Sequence, residues 1–390
     1  MRAERARSIY VSALIATALG AALLVGVFVL GGGCSGPATV APTSTATRTP
    51  APPATETAVP PTATDTPTAT PSPTVTTEPP TSTREPTATE MLSPTPSATA
   101  TEASLSVATG ALTATEPVSV PGGGTLAPSA PVPGLGSAFE NRVWVGLYGT
   151  PGSRGLGILG TASATETVAM AVQQALPYQA VASGTQVVAF FHMVVTIADA
   201  HPGPDSDYVH RVTTSTIQEW IDVARANGLY SVLDIQPGHS PITEELAFVE
   251  PFVRQPGVHL AVDPEFMMLD GSVPGRRIGS MTGDLVNVVQ AWLNGVAEAT
   301  GERKVLVIHQ FDDRMFSGKE ALLDYPLVDL VWDADGFGGP GPKIADFRQY
   351  AAEPGFEFGG FKLFYDYDTP LMTPAEVMAL EPRPAFVVYQ

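Results

Sequence analysis

Eight short apolar runs, separated by stretches with helical periodicity, are the feature that most constrains the fold of this chain. The runs are rich in β-branched residues, which favour strands, and they cover residues 143–148, 187–197, 231–235, 258–262, 304–308, 327–332, 361–365 and 385–389. The helical patterns cover residues 166–175, 214–227, 243–253, 284–300, 319–323, 344–352 and 374–380. Continuous apolar strands that alternate with helices predict a parallel sheet covered by helices.

Residues 137–390 have the length, about 250 residues, that is typical of one (β/α)8 barrel. The predicted fold class is therefore α/β, a TIM barrel that lacks the last helix because the printed sequence ends on the eighth strand. A doubly wound open sheet is the alternative. The loop Tyr148-Gly149-Thr150-Pro151-Gly152 after the first strand does not match the Gly-x-Gly-x-x-Gly of a dinucleotide-binding fold, which favours the barrel.

Residues 1–34 carry the signal of an exported, membrane-anchored protein. Arginines at positions 2, 5 and 7 precede an apolar run over residues 9–30, long enough to cross a bilayer. One interpretation is an uncleaved transmembrane anchor. The other is a bacterial lipoprotein signal peptide, because Leu30-Gly31-Gly32-Gly33-Cys34 resembles a lipobox, which implies lipidation of Cys34. Both place the remainder on the extracytoplasmic face of the cell membrane, at a bacterial cell surface.

Residues 35–136 are predicted to form a disordered, low-complexity stalk. Thr, Pro, Ser and Ala dominate this segment, and no aromatic residue occurs between Ser35 and Ala138. Such a composition cannot bury enough apolar surface to offset its conformational entropy. In an extended polyproline conformation the segment would reach on the order of 300 Å. The domain organisation is thus an anchor (1–34), a linker (35–136) and a barrel domain (137–390).

Polar side chains gather where the predicted strands end, which is where TIM barrels carry their active sites. The candidate catalytic residues are Glu265, Asp263, Asp234 and Asp333. The candidate substrate-binding residues are His192, Gln236, His309, Gln310, Trp332, Asp335, Tyr365, Asp366 and Tyr389. Strand alternation would place Ala261, Asp263 and Glu265 on one face at the end of the fourth strand. Two acids there suit acid–base work on a sugar, whose apolar ring faces stack on aromatic side chains.

The segment Ala261-Val262-Asp263-Pro264-Glu265 resembles the Asp-x-Glu that ends the fourth strand of chitinase-type barrels, and it is similar to the Asp-x-Glu of Chalaropsis-type lysozyme barrels. The resemblance implies an exported glycoside hydrolase in which Glu265 is the general acid and Asp263 assists it. The segment departs from the chitinase signature at Ala261, where that family has an earlier aspartate. This departure leaves open whether the substrate takes part in its own cleavage.

Three functions are compatible with these residues. The first is a tethered glycoside hydrolase that acts on cell-wall or environmental polysaccharide, with Glu265 as acid and Asp263, Asp234 or Asp333 as its partner. The second is a non-catalytic carbohydrate-binding or wall-associated barrel. The third is a metal-dependent hydrolase that uses ligand types present at the strand ends, namely His192, Asp234, Glu265, His309 and Asp333. No His-x-His pair and no Cys/His cluster occurs, so no metal and no cofactor are assigned.

Two further features bear on partners. The net charge of −19 makes nucleic acid an unsuitable partner, which leaves polysaccharide and, through the anchor, the membrane. Lys362 falls within a predicted central strand and needs an anion, for which Asp333 and Glu265 are the candidates. His192 and His309 each lie in an apolar run, where a histidine is typically hydrogen-bonded in the core.

Overall fold

The computed structural model describes residues 136–390, together with two paired dipeptide strands, Val118–Ser119 and Thr125–Leu126. The predictions for residues 1–34, including Cys34, and for the rest of the stalk lie outside the described residues. Within the described part, no helix is both long and apolar enough to cross a membrane.

Eight parallel strands form a closed barrel, which confirms the predicted parallel sheet. The strands are β1 (Arg142–Gly149), β2 (Gln186–Ala198), β3 (Tyr230–Ile235), β4 (Val258–Val262), β5 (Lys304–Gln310), β6 (Val328–Ala334), β7 (Phe358–Leu363) and β8 (Phe386–Tyr389). Each strand pairs with the next, and β8 pairs with β1 to close the sheet. The end of β2 also pairs with a short antiparallel strand, Val209–Arg211.

Helices cover the outside of the barrel. They are α1 (Ala164–Val181), α2 (Thr214–Ala226), α3 (Ile242–Val253), α4 (Gly283–Thr300), α5 (Pro340–Ala351) and α6 (Pro374–Met378). Ser163 begins α1 with a capping box, since its hydroxyl accepts from the Glu166 backbone N–H while the Glu166 carboxylate accepts from Ser163. Gly301 ends α4 in the left-handed conformation that favours glycine.

The crossover from β5 to β6 has no α-helix, so the helix predicted over residues 319–323 is wrong. Two 3₁₀ turns, Asp313–Met315 and Lys319–Ala321, take its place. Leu322 then adopts an extended backbone with φ −61° and ψ 137°, which stops the turn. Two short strands, Met281–Thr282 and Phe316–Ser317, pair beside this crossover.

Side chains on the strands alternate between the barrel interior and the helices. The lower interior is filled by apolar and aromatic residues, among them Trp144, Phe190, Tyr230, Val305 and Phe386. The opposite faces pack against the helices with residues such as Leu147, Leu233, Ile308, Trp332 and Tyr389. Because the apolar layers fill the N-terminal part of the barrel, the polar interior positions collect at the C-terminal ends of the strands.

Candidate functional site

Four interior polar residues come from neighbouring strands and meet in one layer near the C-terminal end of the barrel. Tyr148 of β1 pairs in register with His192 of β2, and His309 of β5 pairs with Asp333 of β6. His192, His309 and Asp333 each lie two residues beyond an apolar interior position, and Tyr148 lies four residues beyond Trp144 on the same face of β1. Along the inward-facing positions of these strands, the residues change from apolar to polar near the C-terminal end. Because this change occurs at similar positions in the strands, the polar side chains lie at a similar level along the barrel axis.

Asp234 of β3 is the centre of this layer. Its Oδ2 accepts a hydrogen bond from the Tyr148 hydroxyl at 3.1 Å, and lies 3.1 Å from His309 Nε2 and 3.2 Å from His192 Nε2. Burial raises the pKa of the Asp234 carboxyl, but the neighbouring His309 and His192 outweigh burial and hold that pKa well below its usual range. Asp234 is therefore a carboxylate held by hydrogen bonds with Tyr148 and His309, with His192 Nε2 at ion-pair distance.

His309 connects Asp234 to a second pair of acids. Its Nδ1 lies 3.1 Å from Asp335 Oδ2 and 3.3 Å from Asp333 Oδ2. Burial lowers the pKa of His309, but Asp234 and these two carboxylates together raise it well above its ordinary value. His309 is accordingly an imidazolium at neutral pH. Burial instead lowers the pKa of His192, which is neutral there.

Lys362 of β7 pairs with Asp335, and not with Asp333 or Glu265 as the sequence suggested. Its Nζ lies 3.1 Å from both oxygens of Asp335 and 3.6 Å from the centre of the Tyr148 ring. The reason is the register of the two strands. Ala334 of β6 pairs with Phe361 of β7, so that the next residues along each chain, Asp335 and Lys362, lie opposite each other. Burial raises the pKa of Asp335, but Lys362 and His309 lower it by more.

Asp263 and Glu265 lie just beyond β4, and a turn brings them together. The strand ends at Val262, so the alternation that predicted a shared strand face stops there and that part of the prediction is wrong. Pro264 instead begins a 3₁₀ turn that Asp263 caps: the Glu265 backbone N–H donates to Asp263 Oδ1 at 3.1 Å. Gln236 Nε2 donates to the other oxygen, Oδ2, at 3.4 Å.

Both carboxyls of this pair hold protons more tightly than usual. Burial raises the pKa of Asp263 to about 7, with Asp234 and Asp335 adding to the rise while His309 opposes it. Burial, followed by Asp263 and Asp335, raises the pKa of Glu265 well above its ordinary value. Because both groups are shifted in the same direction and lie near each other, they compete for protons as a pair. Glu265 therefore keeps its proton to higher pH than an exposed glutamate does.

Position along the barrel axis, not exposure, separates the pair from the Asp234 layer. All of these groups are buried: Glu265 keeps 5%, Asp263 and Tyr148 4%, and Asp335 3% of the surface exposed, while His192, Asp234, His309 and Asp333 keep none. The pair lies beyond the Asp234 layer, toward the C-terminal ends of the strands, since Asp234 pairs with Ala261, two residues before Asp263. The Asp234 layer also includes Asp333, whose two buried oxygens make no hydrogen bond within the described residues.

His192, Asp234 and His309 form the one group of three described residues that could hold a metal ion. Their ligand atoms all lie within 4.8 Å of one another, and two imidazoles with a carboxylate suit a divalent transition metal. In the described structure these atoms contact one another directly. Asp234 Oδ2 lies 3.1 Å from His309 Nε2, 3.2 Å from His192 Nε2 and 3.1 Å from the Tyr148 hydroxyl. These three residues are the ones that would bind the metal ion if the protein were a metal-dependent hydrolase.

Three candidate binding residues point away from the barrel interior. Gln310 accepts a hydrogen bond from Lys319 Nζ at 2.6 Å, and Trp332 Nε1 donates to the Gly355 carbonyl at 3.0 Å. The Tyr389 hydroxyl lies 2.7 Å from that of Tyr178 in α1. They were grouped with the acids because they end strands, but adjacent strand residues face opposite sides of the sheet. Their outward position removes them from the carboxylate cluster.

Tyr365 and Asp366 follow β7 and line a separate cavity of about 580 Å³, along with Tyr367. Sequence reasoning named the two residues but not the cavity, because its other wall comes from α1, far away in the chain. It also missed Tyr148, which donates to Asp234. The position of Tyr148 at the end of β1, equivalent to that of His192 in β2, was the available signal.

Comparisons with known proteins do not assign this chain to a family. No protein-family model matches the sequence, and no curated protein matches it. Among solved structures, an oxaloacetate acetylhydrolase in complex with the product oxalate is similar at 13% sequence identity, covering 64% of this chain and 77% of that chain, with a TM-score of 0.35.

Proposed function

We propose that this protein is a glycoside hydrolase in which Glu265 is the general acid and Asp263 is its partner. The observation that carries the proposal is the position of the two carboxyls, held together by a capped turn at the C-terminal end of β4 and beyond the buried polar layer. The raised pKa of Glu265 supports it, since a general acid must hold its proton at the working pH.

The chemistry follows from this arrangement. Glu265 donates its proton to the oxygen of the scissile glycosidic bond as the bond to the sugar carbon breaks. Water then adds to that carbon and gives a proton back to the Glu265 carboxylate, which completes hydrolysis. Asp263 is oriented by Gln236 and by the Glu265 backbone N–H, and above its pKa of about 7 it presents negative charge toward the positive charge that develops on the sugar ring. Asp234 and Asp333 have no exposed surface, so they support the pair and do not contact the substrate.

The substrate and location belong to the same proposal. The predicted anchor over residues 1–34 and the Thr/Pro-rich stalk over residues 35–136 would hold the barrel at the outer face of a cell membrane. A tethered hydrolase there meets cell-wall or environmental polysaccharide. Two other functions compete with this proposal. One is a non-catalytic binding barrel. The other is a metal-dependent hydrolase that uses His192, Asp234 and His309, and only the proximity of these three residues favours it.

Glu265→Gln is expected to abolish turnover while leaving the fold intact, because the amide keeps the shape of the carboxyl but cannot donate its proton in the same way. The full-length chain is incubated with peptidoglycan, chitin and a panel of α- and β-glucans, and products are identified by mass spectrometry. Glu320→Gln, at an exposed glutamate in the β5–β6 crossover, is the matched control and should retain the activity of the parent.

Each other outcome identifies a competing function. Full activity in the Glu265→Gln chain would show that Glu265 is not the general acid. A folded parent chain that yields no product from any substrate would favour the binding barrel. Activity that is lost on chelation and restored by a divalent cation would instead favour the metal-dependent hydrolase.

A further inference from the structure

A cavity of about 580 Å³ lies on the outer side of the barrel wall, away from the carboxylate pair. It is bordered by the loop after β1, by α1 and by the loop after β7, with Leu147 and Phe364 among its apolar walls. The strand order places β4, which carries Asp263 and Glu265, on the opposite side of the barrel from β8 and β1. The cavity and the pair therefore lie on opposite sides of the same barrel end.

Two tyrosines present large exposed ring surfaces here. Tyr365 is 37% and Tyr367 51% exposed, and both line the cavity. Tyr365 is held in place, since its ring stacks on Tyr389 at 5.3 Å and 27°, and its hydroxyl donates to Gln174 Oε1 at 2.7 Å. The Tyr367 ring packs 5.5 Å from Phe337. Rings fixed before a ligand arrives bind it at lower entropic cost.

The remaining lining groups suit hydroxyls. Gln173, Gln174 and Gln390 offer amide donors and acceptors, and the Arg154 guanidinium makes no ion pair within the described residues. Arg154 and Asp366 bring one positive and one negative charge, so the lining has no net charge to select an ionic ligand. Tyrosine rings beside amides match a pyranose, which has an apolar face and a rim of hydroxyls.

We propose that this cavity is a binding subsite for neutral oligosaccharide, distinct from the carboxylate pair, that holds one end of a glycan reaching across the barrel mouth. The link between binding and cleavage rests on the proposed function. The binding itself rests only on the cavity, its two exposed tyrosines and a polar lining in which the charges of Arg154 and Asp366 offset each other. A volume of this size lies within the ordinary range of small-molecule sites.

The test measures oligosaccharide affinity in the full-length Glu265→Gln chain, with cellohexaose, maltohexaose and chitohexaose as probes in titration calorimetry. For whichever probe the parent binds, Tyr367→Ala is expected to lower the affinity by about 3- to 10-fold, which is the effect of losing one aromatic contact. Tyr367→Phe keeps the ring and should restore the affinity. Leu323→Ala removes an equally exposed apolar side chain in the β5–β6 crossover and should change nothing.

The outcomes separate this inference from the proposed function. In the chain with Glu265 intact, the same Tyr367→Ala change should raise KM for long substrates and leave kcat unaltered. Unchanged affinity in Tyr367→Ala, or no binding of any probe to the parent, overturns the subsite even if Glu265 proves catalytic. If binding depends on Tyr367 but the parent chain cleaves no substrate, the subsite is supported and the proposed glycoside hydrolase activity is rejected.

Discussion

At the scale of single residues, Asp234 determines how the buried layer is arranged. Its Oδ2 receives Tyr148, His192 and His309, and its charge balances an imidazolium that has no exposed surface. Removing one member of a buried ion pair leaves the other charge uncompensated, which costs far more than the intact pair contributes. Asp234 is thus a stability residue as well as a support for the carboxylates above it.

Asp234→Ala is expected to lower the free energy of unfolding by about 3–5 kcal/mol, because it leaves the His309 imidazolium facing an empty, buried position. Urea denaturation followed by circular dichroism measures the change. Asp205→Ala, at an exposed aspartate in the loop after β2, should stay within about 0.5 kcal/mol of the parent. Equal effects of the two substitutions would show that Asp234 carries no buried charge.

Individual residues differ in how far the sequence could predict them. Asp263 and Glu265 were predicted because two acids directly after an apolar strand are rare without a purpose. Lys362 was predicted to need an anion, but its partner depended on the β6–β7 register, which places Asp335 opposite it. Strand pairing register is a three-dimensional quantity that no single strand encodes, so the choice between Asp333 and Asp335 required the structure.

At the scale of elements, all eight strands were predicted close to their observed positions, and the error fell on a crossover. Strand β7 begins earlier than predicted because it includes Gly359 and Gly360, which read as a break in the sequence. A Cβ at Gly360 would lie 2.8 Å from the Asp333 Cα, so glycine there permits close contact with β6. Apolar periodicity defines where strands occur, but it does not reveal such packing.

In the β5–β6 crossover, a 3₁₀ turn stands where a helix was predicted, and Lys319 at its start contacts several partners. Lys319 Nζ lies 3.6 Å from the centre of the Trp332 ring and donates to Gln310 Oε1 at 2.6 Å and Glu353 Oε2 at 2.5 Å. A buried cation that contacts an aromatic face, an amide and a carboxylate connects the 3₁₀ turn to β5, to β6 and to the segment that follows α5. The pattern of residues 319–323 looked helical, whereas these tertiary contacts select the turn.

Lys319→Ala is therefore expected to lower the free energy of unfolding by about 2–4 kcal/mol, since it removes both the packing and the hydrogen bonds of the side chain. Lys319→Met restores the apolar stem and should recover part of the loss. Thermal denaturation of the three chains gives the comparison. If the alanine variant melts with the parent, the crossover does not depend on this lysine.

At the scale of the whole molecule, the barrel interior divides into an apolar lower part and a charged upper part. The upper part encloses five carboxyl groups, namely Asp234, Asp263, Glu265, Asp333 and Asp335, against the single lysine Lys362 and two histidines. Burying so many carboxylates together would be costly, and the raised pKa values of Asp263 and Glu265 relieve the repulsion by retaining protons. These two carboxyls lie at the C-terminal end of the barrel, which is where TIM barrels carry their active sites.

The pH dependence of the reaction follows from this charge distribution. Glu265 acts only while protonated, so kcat/KM should fall as the pH rises through its elevated pKa. Asp263→Asn removes a like charge but retains an oxygen that can accept from the Glu265 backbone N–H and keep the turn capped. Loss of that charge lowers the pKa of Glu265, because Asp263 is the largest cause of the shift after burial.

The alkaline limb of the kcat/KM profile should therefore move to lower pH in the Asp263→Asn chain, and the rate at its optimum should also fall because the charge facing the sugar is gone. Initial rates over pH 4–10, on whichever polysaccharide the parent cleaves, measure both effects. Asp205→Asn removes a distant exposed charge and should leave the limb in place. An alkaline limb that stays fixed in Asp263→Asn would mean that the group titrating there is not Glu265, and the acid would have to be sought among the other carboxyls of the mouth.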